Sequence, residues 1–475
     1  MYYFKNIAMK IFRYETYSLY SLLFLTSSLI VSCGSKKQAD LIVYNAVVYT
    51  VDSAFSQAQS FAIKDGKFLA VGTSEEIISK YTAKEGSVID AKGKFIYPGF
   101  IDGHCHFYGY GEALQKVNLV GTRSFDEVIQ RIVEFSKNNK SQWIIGRGWD
   151  QNDWDVKEFP DRAKLDELFK DTPVLIYRVD GHAALANSAA LKLAGISETT
   201  KVSGGAIEVE DKRLTGLLVD NAVELVQNVI PQPTNEEIKE ALLDAQNNCF
   251  AVGLTTVDDA GLKKNIVDAI DGLQKSGDLQ MRVYAMLTDN RENMDYYLKN
   301  GKYKTDRLNV CSFKFYGDGA LGSRGACLIA PYSDKKEQGF LLSKPQHFDS
   351  AAVKLYEKGF QMNTHCIGDS AVRYIQNLYY STLSAKKDFP RRWRIEHLQV
   401  TTPQDMATLS QLPKGSIIPS VQPTHAASDM YWAKDRIGPE RIKFAYAYKQ
   451  LLTQNNWLPL GTDFPVESLN PLYTY

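Results

Sequence analysis

The hydrophobic rhythm of the chain changes at Pro98. Ahead of it, residues 41–51 are rich in Val, Ile and Tyr and read as a strand. Residues 61–72 form two apolar runs around Asp65-Gly66, a dipeptide suited to a two-residue hairpin turn. Residues 87–97 repeat the pattern around Lys92-Gly93. Several short strands before any long helix predict a small β-sandwich module over 41–97, preceded by a polar linker at 34–40. From Pro98 onward, apolar strands end in polar clusters and are followed by amphipathic helices, the alternation of a parallel α/β fold. Strands are predicted at 100–106, 255–259, 282–287, 312–316, 361–365, 394–397, 417–421 and 458–463. Eight of them imply a (β/α)8 TIM barrel over 98–475. Between the first and second, at about 141–233, Trp143, Trp149, Trp154 and a strand-like run at 174–179 mark an insertion over the barrel mouth.

The N-terminus departs from both patterns. Lys5, Lys10 and Arg13 precede an uncharged, largely apolar run at 17–31, short for a membrane span but of the right length for a secretory signal. It ends Ile30-Val31-Ser32-Cys33, which looks like a bacterial lipobox. The expectation is a signal peptide at 1–33, lipid attachment at Cys33, and an exported lipoprotein held in the cell envelope by that anchor alone. An uncleaved anchor helix or a buried first helix is the alternative.

Composition narrows the partner. Of 475 residues, 55 are Lys or Arg and 55 are Asp or Glu, so no net field favours nucleic acid or an anionic membrane surface, and a small molecule fits better. With 44% hydrophobic residues and 27 Tyr, the chain has material for a sizeable core and is not disordered. Cys105, Cys249, Cys311, Cys327 and Cys366 form no CxxC pair, so they suggest free thiols and not a disulfide framework.

The chemistry gathers at strand ends. Alternate residues of a strand point the same way, so His104 and His106 in Asp102-Gly103-His104-Cys105-His106 project together and can bind one metal ion. An HxH alone often arises by chance. His365, His397 and Asp463, however, each end another predicted strand, where side chains of a barrel face the active-site mouth. Lys314 lies within a strand between Phe313 and Phe315. A buried lysine is costly unless neutralised, paired or modified, and beside four histidines and an aspartate it joins the candidate site. Glu396 adjoins His397, but strict alternation turns it the other way.

The run from Pro98 to His106, with Trp149-Asp150, Asp180-Gly181-His182, Lys314, Asp318-Gly319, His365, His397, Val421-Gln422-Pro423-Thr424-His425 and Gly461-Thr462-Asp463, resembles the YtcJ-like branch of the amidohydrolase superfamily (amidohydrolase family 3). The resemblance extends from about Ala39 to the C-terminus. It implies that His104, His106 and Asp463 hold a first divalent ion and His365 and His397 a second, with Lys314 bridging them as a carbamate. Mixed His, Asp and carbamate ligands suit zinc first and other divalent ions as well. The implied reaction is hydrolysis of a non-peptide amide, N-substituted formamides included, by a metal-bound hydroxide, with Asp463 carrying the proton to the leaving nitrogen. Trp149, Asp180, His182, Asp318 and His425 become substrate-side candidates, although loops at a barrel mouth need structural hydrogen bonds as well.

Two rival readings stay open on sequence: a one-metal deaminase or phosphoester hydrolase on the same barrel, and a non-catalytic surface lipoprotein that binds a small ligand. Family members close the β module with strands from both chain ends, and this sequence stops at Tyr475. A fragment or an incomplete module is therefore expected, with an exposed sheet edge or apolar face.

Overall fold

A computed structural model describes residues 35–138, 141–178, 183–202, 205–322, 324–384, 391–411 and 413–475. The predicted signal peptide with Cys33, and the candidates Asp180 and His182, lie outside the described residues. The chain divides into two units, Met1–Pro98 and Gly99–Tyr475.

The described part of the first unit carries a four-stranded sheet in the order Lys67–Gly72, Ser60–Lys64, Leu41–Tyr44, Val88–Asp90, and a three-stranded sheet of Gln57–Ala58, Val47–Tyr49 and Phe95–Ile96. Asp65 and Gly66 both have positive φ, 50° and 70°, as the predicted two-residue hairpin requires. Helix Ser74–Lys80 begins with a reciprocal capping box between Thr73 and Glu76. Val43, Val48 and Phe61 form a small core, yet Phe68, Val71, Ile89 and Phe95 remain exposed.

The second unit is built on seven parallel strands: β1 (Phe100–Cys105), β2 (Leu254–Leu262), β3 (Arg282–Thr288), β4 (Leu308–Tyr316), β5 (Gln361–Cys366), β6 (Trp393–His397) and β7 (Ile417–Ser420). The short strand Tyr303–Lys304 pairs antiparallel with β4. Alternation sets the two faces. Phe313, Phe315, Trp393 and Ile395 pack in a core with helical residues such as Phe348, Ile375 and Tyr379, whereas Lys314, Arg394 and Glu396 turn to the other side of the sheet.

The eighth strand predicted at 458–463 is reduced to one bridge, Val421 to Leu460. Its backbone is nonetheless committed on both sides: Gly461 N–H donates to Val421 O at 3.0 Å, Gly103 N–H to Leu460 O at 2.9 Å, and Asp463 N–H to His104 O at 2.8 Å. The segment thus links β7 to β1. It leaves the ladder because Asp463 has φ of +61°, outside strand geometry. Gly461 permits the close approach, since a Cβ there would lie 2.5 Å from His104 N.

The insertion starts earlier than about 141. Its six-stranded sheet runs Val117–Asn118, Ile144–Trp149, Val174–Arg178, Ala183–Ala186, Arg213–Asp220, Gly205–Glu210, and helix Phe125–Ser136 belongs to its core. A two-residue first strand carries no alternation, so its sequence gives no strand signal.

Candidate metal centre

The C-terminal ends of β1, β4, β5 and β6 converge with the 461–464 segment on one buried cluster. His104 and His106 come from the end of β1, Lys314 from the interior face of β4, His365 from β5 and His397 from the last position of β6. His106 is pulled into place by its N–H, which donates to Phe464 O at 2.8 Å. Asp259 then accepts from the N–H groups of Phe107 and Tyr108 at 3.1 and 3.0 Å, fixing the start of the helix that follows. Asp102 performs the same task for the other side, accepting from His104 N–H and from the Thr462 hydroxyl at 3.1 and 2.7 Å.

Distances inside the cluster are short. Lys314 Nζ lies 3.1 Å from His104 Nε2. Asp463 Oδ1 stands 3.3 Å from His106 Nε2 and 3.6 Å from His104 Nε2. The rings of His365 and His397 are 4.4 Å apart, and those of His104 and His397 5.0 Å. His425 reaches in from helix Pro423–Asp429, with Nε2 at 3.1 Å from Asp463 Oδ2 and Nδ1 at 3.1 Å from Glu467 Oε1.

These groups suit a divalent cation. Ligand atoms of His104, His106 and Asp463 lie within 4.8 Å of one another, and so do those of His397, His425 and Asp463. His365 Nε2 and His397 Nδ1 are buried polar atoms without a hydrogen-bond partner, an arrangement that costs stability unless another group satisfies them. Imidazole nitrogen and carboxylate oxygen are the donor set that zinc and similar ions take.

Burial sets the protonation states. It pushes His104 down to about 4 and His365 to about 3, with Lys314 adding to both shifts, and it holds His397 well below the usual imidazole range. Three imidazoles are therefore neutral at pH 7 and offer lone pairs. Burial also lowers the Lys314 ammonium, against the pull of Glu396 and Asp463. Burial alone would raise Asp463, but hydrogen bonds with His106 and His425 outweigh it and hold the carboxyl well below its ordinary value.

Two substrate-side candidates have other work. Trp149 is fully buried in the insertion, its Nε1 donating to Ile176 O at 3.0 Å and its ring packed near Trp154, so it is a core residue of that sheet. Asp318 accepts from the N–H groups of Cys327, Ile367 and Gly368 at 2.8, 2.9 and 2.7 Å, and thereby fastens the loop after β4 to the one after β5. His425 meets the cluster through Asp463, and Asp318 Oδ1 also stands 3.7 Å from His365 Nε2.

Glu396, which strict alternation sends outward, is instead fully buried with Oε2 2.5 Å from His104 Nδ1. Alternation is kept through Arg394 and Glu396, and it is His397 that breaks it. With φ of +70°, His397 leaves strand geometry and faces inward beside its neighbour. The detectable signal was two charged residues, Arg394 and Glu396, at alternate positions of an otherwise apolar strand. Beside the cluster, Thr288, Asp289, Tyr316, Leu342, Ser343 and Phe348 line a cavity of about 280 Å³ at the ends of β3 and β4. Its Tyr316 wall also lies 5.8 Å from the His365 ring.

Residues 87–475 match the family model described as "Amidohydrolase family". This chain belongs to that family. The amidohydrolase is 30% identical to "Putative amidohydrolase YtcJ" of Bacillus subtilis (strain 168), over 91% of its own length and 82% of the relative's. It is 34% identical to "N-substituted formamide deformylase" of Arthrobacter pascens, over 46% and 42% of the two chains. Among solved structures, an uncharacterized metal-dependent hydrolase from Pyrococcus furiosus superposes with a TM-score of 0.76 at 28% identity, covering 91% of this chain and 87% of that one. The amidohydrolase is thus a hydrolase by family, and the family implies a divalent cation.

Proposed function

We propose that this amidohydrolase cleaves the carbon–nitrogen bond of a small non-peptide amide on a closed (β/α)8 barrel. The observation that carries the reading is the convergence of four histidines and Asp463 around the buried Lys314 amine, with ring nitrogens of His365 and His397 left unpartnered. His104, His106 and Asp463 would hold one cation and His365 and His397 another, zinc being the first choice, and Lys314 as a carbamate would join them. Bound cations supply acidification of water and polarisation of a carbonyl oxygen.

The chain's own groups do the rest. Burial lowers the pKa of the lysine amine and so favours the unprotonated form, which can attack the carbon of CO2, forming an N–C bond with loss of one proton. That converts a repelling cation into an anionic oxygen ligand. Asp463 would accept the proton of the attacking water and return it to the departing nitrogen, because an amine leaves readily only when protonated. His425, bridging Asp463 and Glu467, fixes the carboxylate's orientation. The cavity walled by Tyr316 receives the substituent on the amide, and N-substituted formamides are the first substrates to try.

Asp463→Asn tests the reading. It should lower kcat by at least about a thousandfold, within the range of general acid–base catalysis, while cation content stays near the parent's. Unchanged turnover would remove Asp463 from the chemistry. Export is the companion proposal: the chain is carried to the envelope and anchored through a lipid on Cys33. Among the described residues no helix is long and apolar enough to cross a membrane. Detergent-phase partitioning that Cys33→Ser abolishes would support the anchor, and partitioning unchanged by that substitution would refute it.

A further inference from the structure

Beneath the metal cluster lies a second set of charges that the hydrolytic scheme does not use. Arg394 donates from Nη2 to Glu396 Oε2 at 3.1 Å, to Ser420 Oγ at 2.8 Å and to the Gly103 carbonyl, while its Nη1 holds Asp258 Oδ2 at 2.7 Å. Its Nε stands 2.6 Å from Glu396 Oε1. The Glu396 side chain is 0% exposed and that of Arg394 6%. Such a buried ionic set is no economical way to stabilise a core, since well-packed apolar residues commonly serve as well or better. The use of the Glu396 carboxylate is what distinguishes it: Oε2 meets the Nδ1 of His104 at 2.5 Å, on the opposite edge of the imidazole from the Nε2 that faces Lys314 and Asp463.

We propose that Glu396 is the positioning residue for His104. A neutral imidazole has one N–H and one lone pair, and the partner of the first decides where the second points. A carboxylate can only accept, so Glu396 places the proton on Nδ1 and directs the Nε2 lone pair toward the cation. The same contact makes the imidazole a stronger donor to the metal. Arg394 supports this twice. It keeps Glu396 ionised by direct charge pairing, and it ties the backbone carbonyl of Gly103, the residue before His104, to the same guanidinium. Asp258 is available to balance Arg394, so the arginine's charge does not by itself require Glu396 to be here.

The inference rests on His104 being a metal ligand, and the test separates the two ideas. Protein stripped by a chelator is refilled with Zn2+ alone in bicarbonate buffer, and affinity is read by competition with a chromophoric chelator. Parent, E396Q, the paired variant R394M/E396L and H104N are compared. E396Q keeps an acceptor oxygen without its charge and should weaken the tighter site by about tenfold, and the paired variant, which removes both members of the Arg394–Glu396 pair and leaves Asp258 without its arginine, by up to about a hundredfold. H104N should lose more than either. Parent affinity in the folded paired variant overturns the proposal, and should that variant not fold, parent affinity in E396Q does so. Parent affinity in H104N overturns it as well and takes the metal assignment of His104 with it; loss in H104N alone removes only the role of Glu396. Histidine-selective 15N spectra of the metal-free protein give a readout that a merely structural ion pair would not move. The His104 signal, identified by its absence in H104N, should report Nδ1–H in the parent and a tautomer mixture in R394M/E396L, and Nε2–H in the parent would refute the proposal.

Discussion

His425 stands between two carboxylates, Nε2 3.1 Å from Asp463 Oδ2 and Nδ1 3.1 Å from Glu467 Oε1. Burial works against the charged imidazole, but the hydrogen bonds and charges of the two acids outweigh it and raise its pKa. The Asp463 carboxyl is lowered in turn.

The pair therefore gives the metal-free protein a stability that depends on pH in a fixed sense. The lowered Asp463 contributes fully above the ordinary carboxylate value near ~4, and the contribution is lost as pH falls toward its folded pKa. The raised His425 contributes fully below about 6.5, and that contribution is lost as pH rises through its folded pKa. Thermal unfolding of chelator-treated His425→Asn should trail the parent most between about pH 4 and 6.5. The gap should narrow on either side, and a gap that does not vary with pH would show that the two groups are not charged together.

Lys314→Ala removes the only side chain that reaches His104 Nε2 from β4. If the amine becomes a bridging carbamate, elemental analysis in bicarbonate should find close to two cations per chain in the parent and one or fewer in the variant. With 13C-bicarbonate, a carbamate carbon signal should appear in the parent and vanish in the variant. One cation in both would make Lys314 structural and favour a single-ion site.

Asp318 carries a stability prediction where the sequence suggested a substrate contact. Its carboxylate accepts three backbone N–H groups from two loops, all in a buried setting. Asp318→Ala would strand those donors, so a loss of about 3 kcal/mol is expected from denaturant unfolding, with cations restoring part of it. A variant as stable as the parent would return Asp318 to the list of substrate contacts.

The legible and illegible parts of the site differ in a physical way. His104, Lys314 and His365 could be placed in the buried cluster because each is a charged or metal-binding group at the end or on the interior face of an apolar strand, where period-two alternation speaks plainly. Glu396 was misplaced because alternation was carried through His397, whose positive φ breaks it. The last strand was overdrawn for a related reason: the Gly461-Thr462-Asp463 run looks extended, but a left-handed Asp463 turns it out of the ladder. Asp318 and Trp149 were ambiguous because hydrogen bonds to main-chain groups in distant loops leave no trace in a pattern of side chains. The insertion's early start was hidden in a strand too short to show a period.

The cavity beside Tyr316 supplies the last prediction, which separates binding from chemistry. Tyr316 shares its ring between the cavity wall and the His365 imidazole, and Phe348 belongs to the core behind the wall, whereas Leu342 lines the cavity with half its surface exposed. If the amide substituent rests there, enlarging the cavity with Leu342→Ala should weaken substrates with bulky apolar substituents by roughly tenfold in kcat/KM, the scale of one or two buried methylene groups. The change should fall mainly on KM, because the substituent is held alike before and during reaction. Tyr316→Phe, which keeps the ring and loses only the hydroxyl, should behave nearly as the parent unless the hydroxyl touches the reacting group, in which case kcat would fall instead. Steady-state kinetics across a series of N-alkyl formamides of increasing length would decide between these, and a Leu342→Ala variant indifferent to substituent size would place the substituent elsewhere on the barrel rim.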